Sequence, residues 1–425
     1  MVVPVHVQNM LARVRRLFTD PGRAPDRAPD LPRPRALRAG RRVDAATRTR
    51  LLDQIGADAQ IRAATAPREP LESFTANIEQ CVGTVSVPVG VIGPLRMAGV
   101  HARGDFPVPL ATTEAALVAS YHRGAVAVSR AGGAMTALLS EGLLRSPVFV
   151  FESTWEAGRF IDWVVTHAED LVTAADATTR HGRLVKLEPV LDSNIVFLLC
   201  RYTTGDAAGQ NMVTLATDAL ARHAAAHAPI APRRWYVEGN FSGDKKASAL
   251  GTVTSRGRKV TASVVLPRAV VESALRTTPE EMLAYARVAT LGAQLSGQFG
   301  AQAHYANALA ALYIATGQDA ACVAESAVGF TRMEDRDGAL FASVTLPNII
   351  VGTVGGGTAL PAQRAFLDLL GVRGAGQAAA LAEVAAATCL CGELSIVAAM
   401  ATGDFTHAHA SLARGRASCA PDRPS

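Results

Sequence analysis

Residues 147–239 constrain the fold more tightly than any other stretch of the chain. PVFVFES reads as a strand and Thr154 to about His167 as a helix. RLVKLEPV and NIVFLLCRYT read as two strands joined by an Asp-Ser-Asn turn, Asp206 to about His227 as a helix, and RRWYVEG as a strand. The order β-α-β-β-α-β is the split βαβ pattern of ferredoxin-like units, so a compact inserted domain is expected over 147–239. The flanking segments, 46–146 and 240–402, are expected to form one larger, discontinuous, helix-rich domain with a long central helix. The fold class is therefore α+β. The central helix is expected from Ala111 to about Arg130, with Thr112 or Thr113 as its N-cap. Small residues along it (Ala115, Ala119, Gly124, Ala127) would let neighbouring helices approach closely. Residues 403–425 are expected to form a C-terminal helix or flap.

The chain has 425 residues, of which 49% are apolar and 19% charged. That supports two or three domains with a large core and excludes global disorder. The net charge of +5 is unevenly placed: residues 1–50 carry 12 Arg against 4 Asp, leaving the rest slightly acidic. Residues 1–45, rich in Arg, Pro and Asp, are expected to form a disordered arm. The basic pI therefore belongs to a tail, and with only 5% aromatic residues a nucleic-acid partner is not expected. No uninterrupted apolar stretch of about 18 residues is present, so no membrane span is expected. The six scattered Cys lack a CxxC pair and fit reduced thiols in a cytoplasmic protein. His223 and His227 are spaced i, i+4 but have no third ligand nearby in sequence, and no metal site is expected.

Only four of the 42 basic residues are Lys, and two of them, Lys245 and Lys246, are adjacent in Gly243-Asp244-Lys245-Lys246. A chain that uses Arg for generic positive charge and Lys here points to a site that needs a compact ammonium. Thr204–Met212 (TGDAAGQNM) lies between a strand and a helix, where glycines permit close approach and a helix N-terminus suits phosphate. Gly352–Thr358 (GTVGGGT) is a second glycine cluster, fit for close packing or for a ligand lying on the backbone. Asp319 ends the apolar helical stretch Ala303–Thr316. Glu114, Lys245 and Asp319 would together supply an acid, an ammonium and a tuning carboxylate, as carbonyl reduction requires.

EQCVG, VPVGVIGPL, PLATTEAALVASYHRG, TGDAAGQNM, GNFSGDKKASAL, AHYANALAALYIATGQD, VGTVGGGTALP and GELSIVAAMATG, in this order over about 70–414, resemble the hydroxymethylglutaryl-CoA (HMG-CoA) reductase family, in its soluble prokaryotic type. The resemblance implies NADPH-dependent four-electron reduction of the HMG-CoA thioester to mevalonate with release of CoA, in isoprenoid precursor synthesis. NADH is not excluded as the reductant. It implies catalytic roles for Glu114, Lys245, Asp319 and His409, the last as the proton donor to the departing thiolate. Arg180, Asp206, Gly209, Gln210, Asn211, Gly355 and Gly356 would contact the cofactor, with Arg180 near the 2′-phosphate. Arg145, Lys246 and Asn307 would hold the acyl group, Arg123 would lie near CoA, and Glu79 would complete a site shared between the subunits of a dimer or higher homo-oligomer. One departure stands out: Glu238 replaces the family's Ser, putting a carboxylate near the substrate's own. It keeps open a reductase of a different branched acyl-CoA thioester. A non-catalytic CoA- or nucleotide-binding homologue is the remaining alternative.

Overall fold

The computed structural model describes residues 44–403, apart from 55, 56, 65 and 68. The expected Arg-rich arm before residue 44 and the C-terminal segment with His409 lie outside the described residues. The boundary between two compact units falls between Val85 and Ser86.

The first unit contains helices α1 (Ala45–Gln54) and α2 (Ala59–Ala64) and a 3₁₀ turn at Leu71–Phe74. Asp44 caps α1, its Oδ1 accepting from the Thr47 amide at 2.7 Å. Leu51, Leu52, Leu71 and Phe74 are buried.

The second unit opens with the antiparallel pair β1 (Val89–Ala98) and β2 (Arg103–Ala111). Then follow α3 (Leu117–Arg130), β3 (Met135–Arg145), β4 (Val148–Val150), α4 (Thr154–Thr166), α5 (Ala168–Asp176), β5 (Arg183–Asp192), β6 (Ile195–Thr203), α6 (Gln210–His227) and β7 (Arg234–Tyr236). The remainder comprises α7 (Ala249–Thr254), β8 (Gly257–Leu266), α8 (Pro279–Ser296), α9 (Tyr305–Thr316), β9 (Phe330–Arg336), β10 (Ala339–Ile349), α10 (Pro361–Leu370) and α11 (Ala378–Thr402).

Among the described residues one eight-stranded sheet runs β7-β4-β6-β3-β8-β10-β9, with β5 on the free side of β6. Every pairing in it is antiparallel. β6 joins its two halves: β5 lies along one edge, while the other edge pairs with β4 near its start (Phe197 with Val148) and with β3 near its end (Cys200 with Arg145). The molecule is thus α+β, as expected. The strands at 147–239 match the sequence reading in order, and α5 is a helix that reading missed.

Two helix starts differ from expectation. Ala116, not Thr112 or Thr113, precedes α3, in a left-handed conformation at φ 67°. The Thr112 hydroxyl instead accepts from the Glu114 amide at 3.0 Å, which leaves Glu114 in the loop before the helix. α6 starts at Gln210 behind Gly209 rather than at Asp206. Asp206 has another use: its carboxylate accepts from the amides of Gly376 (2.7 Å) and Ala378 (3.1 Å) at the entry to α11.

The longest helix and the centre of the core is α11, with 25 residues; the helix expected to be central, α3, has 14 and packs against it. By length and composition α11 could cross a membrane, but 83% of its apolar window is buried inside the protein. Close packing there depends on glycine. A Cβ on Gly124 would overlap the Cys391 carbonyl, and one on Gly392 would overlap the Tyr121 ring. Gly124→Ala raises helix propensity by about 1 kcal/mol but forces α3 and α11 apart. We expect net destabilisation of about 1–3 kcal/mol, read as a lower midpoint in urea unfolding.

α11 also buries two carboxylates. Glu393 accepts from the amides of Ala303 (3.0 Å) and His304 (2.7 Å) and from the Thr331 hydroxyl (2.8 Å). Burial outweighs these donors and pushes the Glu393 carboxyl up to about 7. A carboxyl raised above its unfolded value contributes stability below about pH 4.5 that is lost as pH rises through about 7. The melting temperature should therefore fall from about pH 5 to about pH 7, and Glu393→Gln should flatten that slope.

Candidate active site

Lys245 sits on the loop between β7 and α7, in a left-handed conformation (φ 57°) that a non-glycine residue rarely adopts. Surrounding bonds hold it there. Its amide donates to Glu325 Oε1 at 3.1 Å, and its ammonium lies 2.8 Å from Asp319 Oδ2. That bond raises the Lys245 pKa, so the group stays cationic. Asp319 caps the short turn after α9, accepting from the Ala321 amide through its other oxygen at 3.0 Å. Both side chains are about two-fifths exposed, enough for a ligand to reach them.

Behind this pair lies a charged cluster. Arg256, 2% exposed, places Nη1 at 2.6 Å from both oxygens of Glu325. Its Nη2 reaches Gln210 Oε1 at 2.7 Å and Asp244 Oδ1 at 2.8 Å. Arg145 donates through Nη1 to Asp244 Oδ2 at 2.9 Å and to Glu238 Oε2 at 3.3 Å. Burial alone would raise the Asp244 carboxyl, but Arg256 and Arg145 outweigh it and hold the group below its ordinary value. Gln210 also donates to the Cys322 thiol at 3.4 Å, joining the start of α6 to the turn that carries Asp319.

Glu114 belongs to a second group. Its Oε2 accepts from Asn307 Nδ2 at 2.7 Å. One turn earlier, at the start of α9, the His304 ring stacks on Tyr121 with centroids 4.6 Å apart. Burial lowers the His304 pKa, and the Glu114 charge partly offsets this. Asn307 lies in the first turn of α9, whereas Asp319 follows its last residue. At 1.5 Å per residue, Asn307 and Thr316 stand roughly 14 Å apart along the helix. One chain therefore brings Lys245 to Asp319 and Glu114 to Asn307, as two groups at opposite ends of one helix.

The two glycine-rich segments meet. Thr353 N donates to the Asp206 carbonyl at 2.8 Å, and a Cβ on Gly352 would overlap the Ala208 backbone. Gly357 approaches Gly317 equally closely. Gly355 and Gly356 adopt positive φ with open space where a side chain would be. Gly209 precedes α6 with no side-chain cap, so the first amides of that helix are open to an acceptor. Asn211 in its first turn and Arg180 after α5 are exposed.

Arg123 is committed elsewhere, its Nε donating to Ser395 Oγ at 3.0 Å and its Nη2 to the Ser395 carbonyl. Lys246 is exposed, and its ammonium donates to the Asp244 carbonyl at 2.9 Å. Glu79 lies exposed in a turn of the first unit. Sequence reasoning passed over Arg256, Glu325, His304 and Glu393. Of these, Glu393 left a local signal, as a charge within a long apolar helix.

The chain is similar to known proteins over most of its length. The family model described as hydroxymethylglutaryl-coenzyme A reductase matches residues 44–414. A 3-hydroxy-3-methylglutaryl-coenzyme A reductase of Aeropyrum pernix is 45% identical over 350 residues, covering 81% of this chain and 83% of that protein. The enzyme of the same name from Methanothermobacter thermautotrophicus is 42% identical over 345 residues, covering 80% and 85%. In fold, the chain is similar to the class II 3-hydroxy-3-methylglutaryl-CoA reductase of Streptococcus pneumoniae, solved bound to NADPH in open conformations. The TM-score is 0.63 at 18% identity, over 84% of this chain and 97% of that one. A match across nearly all of the described residues, with relatives above 40% identity over four-fifths of the chain, establishes that this protein belongs to the hydroxymethylglutaryl-coenzyme A reductase family.

Proposed function

We propose that the protein reduces the thioester of HMG-CoA to mevalonate, releasing CoA and consuming two equivalents of NADPH. The observation that carries this reading is the partly exposed Lys245–Asp319 pair, a cation fixed beside a carboxylate and backed by a buried charge network. When bound, the nicotinamide supplies hydride. Lys245 places its ammonium where the carbonyl oxygen gains negative charge, in both reductions. Asp319 keeps that ammonium charged and aimed. His409 protonates the departing CoA thiolate. Glu114, held by Asn307, gives its proton to the aldehyde oxygen in the second reduction.

The residues present fit a dinucleotide. The strand order β7-β4-β6-β5 with α4 and α6 supports reading 147–239 as a ferredoxin-like, nucleotide-binding unit inserted between 46–146 and 240–402. The open amides of α6 suit a phosphate, with Gln210 and Asn211 beside them and the open glycines 355 and 356 across the same seam. Asp206 would act there indirectly, by tying its loop to the entry of α11. Arg180 supplies a cation for a 2′-phosphate and so favours NADPH over NADH. Arg145, which shares Asp244 with Arg256, and Lys246, adjacent to Lys245 in sequence, supply cations for the acyl group, and Arg123 acts through its hold on α11.

The roughly 14 Å between the two groups along α9 supports a site completed across a homodimer. Glu114 and Asn307 of one protomer would face Lys245 and Asp319 of the other. Lys245→Ala and Glu114→Gln should each cut turnover of HMG-CoA by about a thousandfold. Co-refolded as mixed dimers, the two inactive variants should recover about a quarter of the wild-type rate, because half of the dimers carry one intact site. Failure to recover would place all four groups within one chain. The cofactor assignment has its own check. Arg180→Ala should raise the KM for NADPH about tenfold or more and leave that for NADH nearly unchanged, as expected for loss of one charge-assisted phosphate contact.

A further inference from the structure

The charged cluster behind Lys245 contains a carboxylate with one of its two oxygens unused. Glu238 Oε2 accepts from Ser242 Oγ at 2.8 Å, from the Ser146 amide at 3.4 Å and from Arg145 Nη1 at 3.3 Å. Its Oε1 is buried without a donor, and in the two residues that its Oε2 contacts, Arg145 Nε and Ser146 Oγ are also buried without partners. Arg145 is 6% exposed, and its Nη1 is already shared by Glu238 and Asp244. Arg256 is committed to Glu325 and Asp244. The cluster thus sets three carboxylates against two guanidiniums before any ligand arrives, while the Lys245 ammonium is engaged by Asp319.

Resting on the reading of Lys245 and Arg145 as the acyl-thioester site, we infer that Glu238 is a specificity-determining residue. It occupies Arg145 as an internal counter-ion, so an acyl group bearing its own carboxylate must compete with it, whereas an acyl group with a neutral hydrogen-bonding end does not. Two carboxylates converging on one guanidinium repel, and only one can take the best bonding geometry. A hydroxyl, by contrast, brings no second negative charge to Arg145 and could donate to the Glu238 carboxylate. Glu238 thereby shifts the preference of this chain towards uncharged hydroxyacyl thioesters relative to one with a serine hydroxyl at that position.

The test measures dissociation constants by calorimetry for HMG-CoA and for 3-hydroxybutyryl-CoA, which lacks the carboxylate. Full-length wild type, Glu238→Gln and Glu238→Ser are compared, with NADPH turnover followed on the same samples. The ratio of HMG-CoA to 3-hydroxybutyryl-CoA affinity should rise at least about tenfold in Glu238→Gln, equivalent to about 1.4 kcal/mol, and in the same direction in Glu238→Ser. An unchanged or lower ratio, or an equal loss for both thioesters, overturns the inference even if HMG-CoA is turned over. A raised ratio without turnover in any sample upholds the role of Glu238 and rejects the reductase reading instead. Glu238→Ser supplies the result if Glu238→Gln does not fold.

Discussion

The buried contact between Arg256 and Glu325 is the interaction on which the site depends. Both side chains are about 2% exposed. Arg256 immediately precedes β8, with its amide on Asn348 of β10 and its Nε on the Leu144 carbonyl of β3. Three adjacent strands are therefore pinned at one point. From that point Glu325 Oε1 reaches out to the Lys245 amide, and Arg256 Nη2 reaches Gln210 and Asp244. Burial pushes the Glu325 carboxyl up and Arg256 opposes that shift. Removing one partner from such a pair leaves an uncompensated buried charge, at a cost of about 3–5 kcal/mol. The strained backbone of Lys245 is supported from beneath by this pair, so its ammonium takes its position from the core of the sheet.

Local signals were legible in the sequence where a single segment carries them. The adjacent lysines pointed to Lys245 because ammonium chemistry differs from guanidinium chemistry, whatever the fold. The glycine clusters were legible because positive φ and close backbone approach leave few other residues possible, and Gly352 meets Ala208 in that way. The strands and helices of 147–239 were legible in order because each is short and bounded by turn residues.

What the sequence did not disclose were pairings between distant segments. Arg256 and Glu325 are 69 positions apart, and neither stands out from its neighbours. Asp206 appeared to belong to the helix that follows it, yet its carboxylate serves Gly376 and Ala378, some 170 positions away. Thr112 and Thr113 looked like helix caps because a cap is a local pattern, but the left-handed turn at Ala116 delays α3 and makes that pattern irrelevant. The separation of Glu114 from Lys245 was hidden for the same reason: the length of α9 was readable, but not what each of its ends touches.

The two carboxylates of α11 connect the core to these ends. Glu383 accepts from the amides of His101 and Ala102 and from the Thr136 hydroxyl, fixing the β1–β2 turn against β3. Glu393 accepts from Ala303 and His304 and so fixes the first turn of α9. An acid in an apolar helix is costly unless donors converge on it, and here the donors are mostly backbone amides of segments with no other reason to stop at that place. The cost of burying Glu393 thus locates the start of α9, and with it the side chain of Asn307 that orients Glu114. At the far end of the same helix, the Gln318 side chain donates to the Gly352 carbonyl and accepts from its amide, locating Asp319 against the glycine seam. α9 is a rigid element fixed at both ends by buried polar bonds.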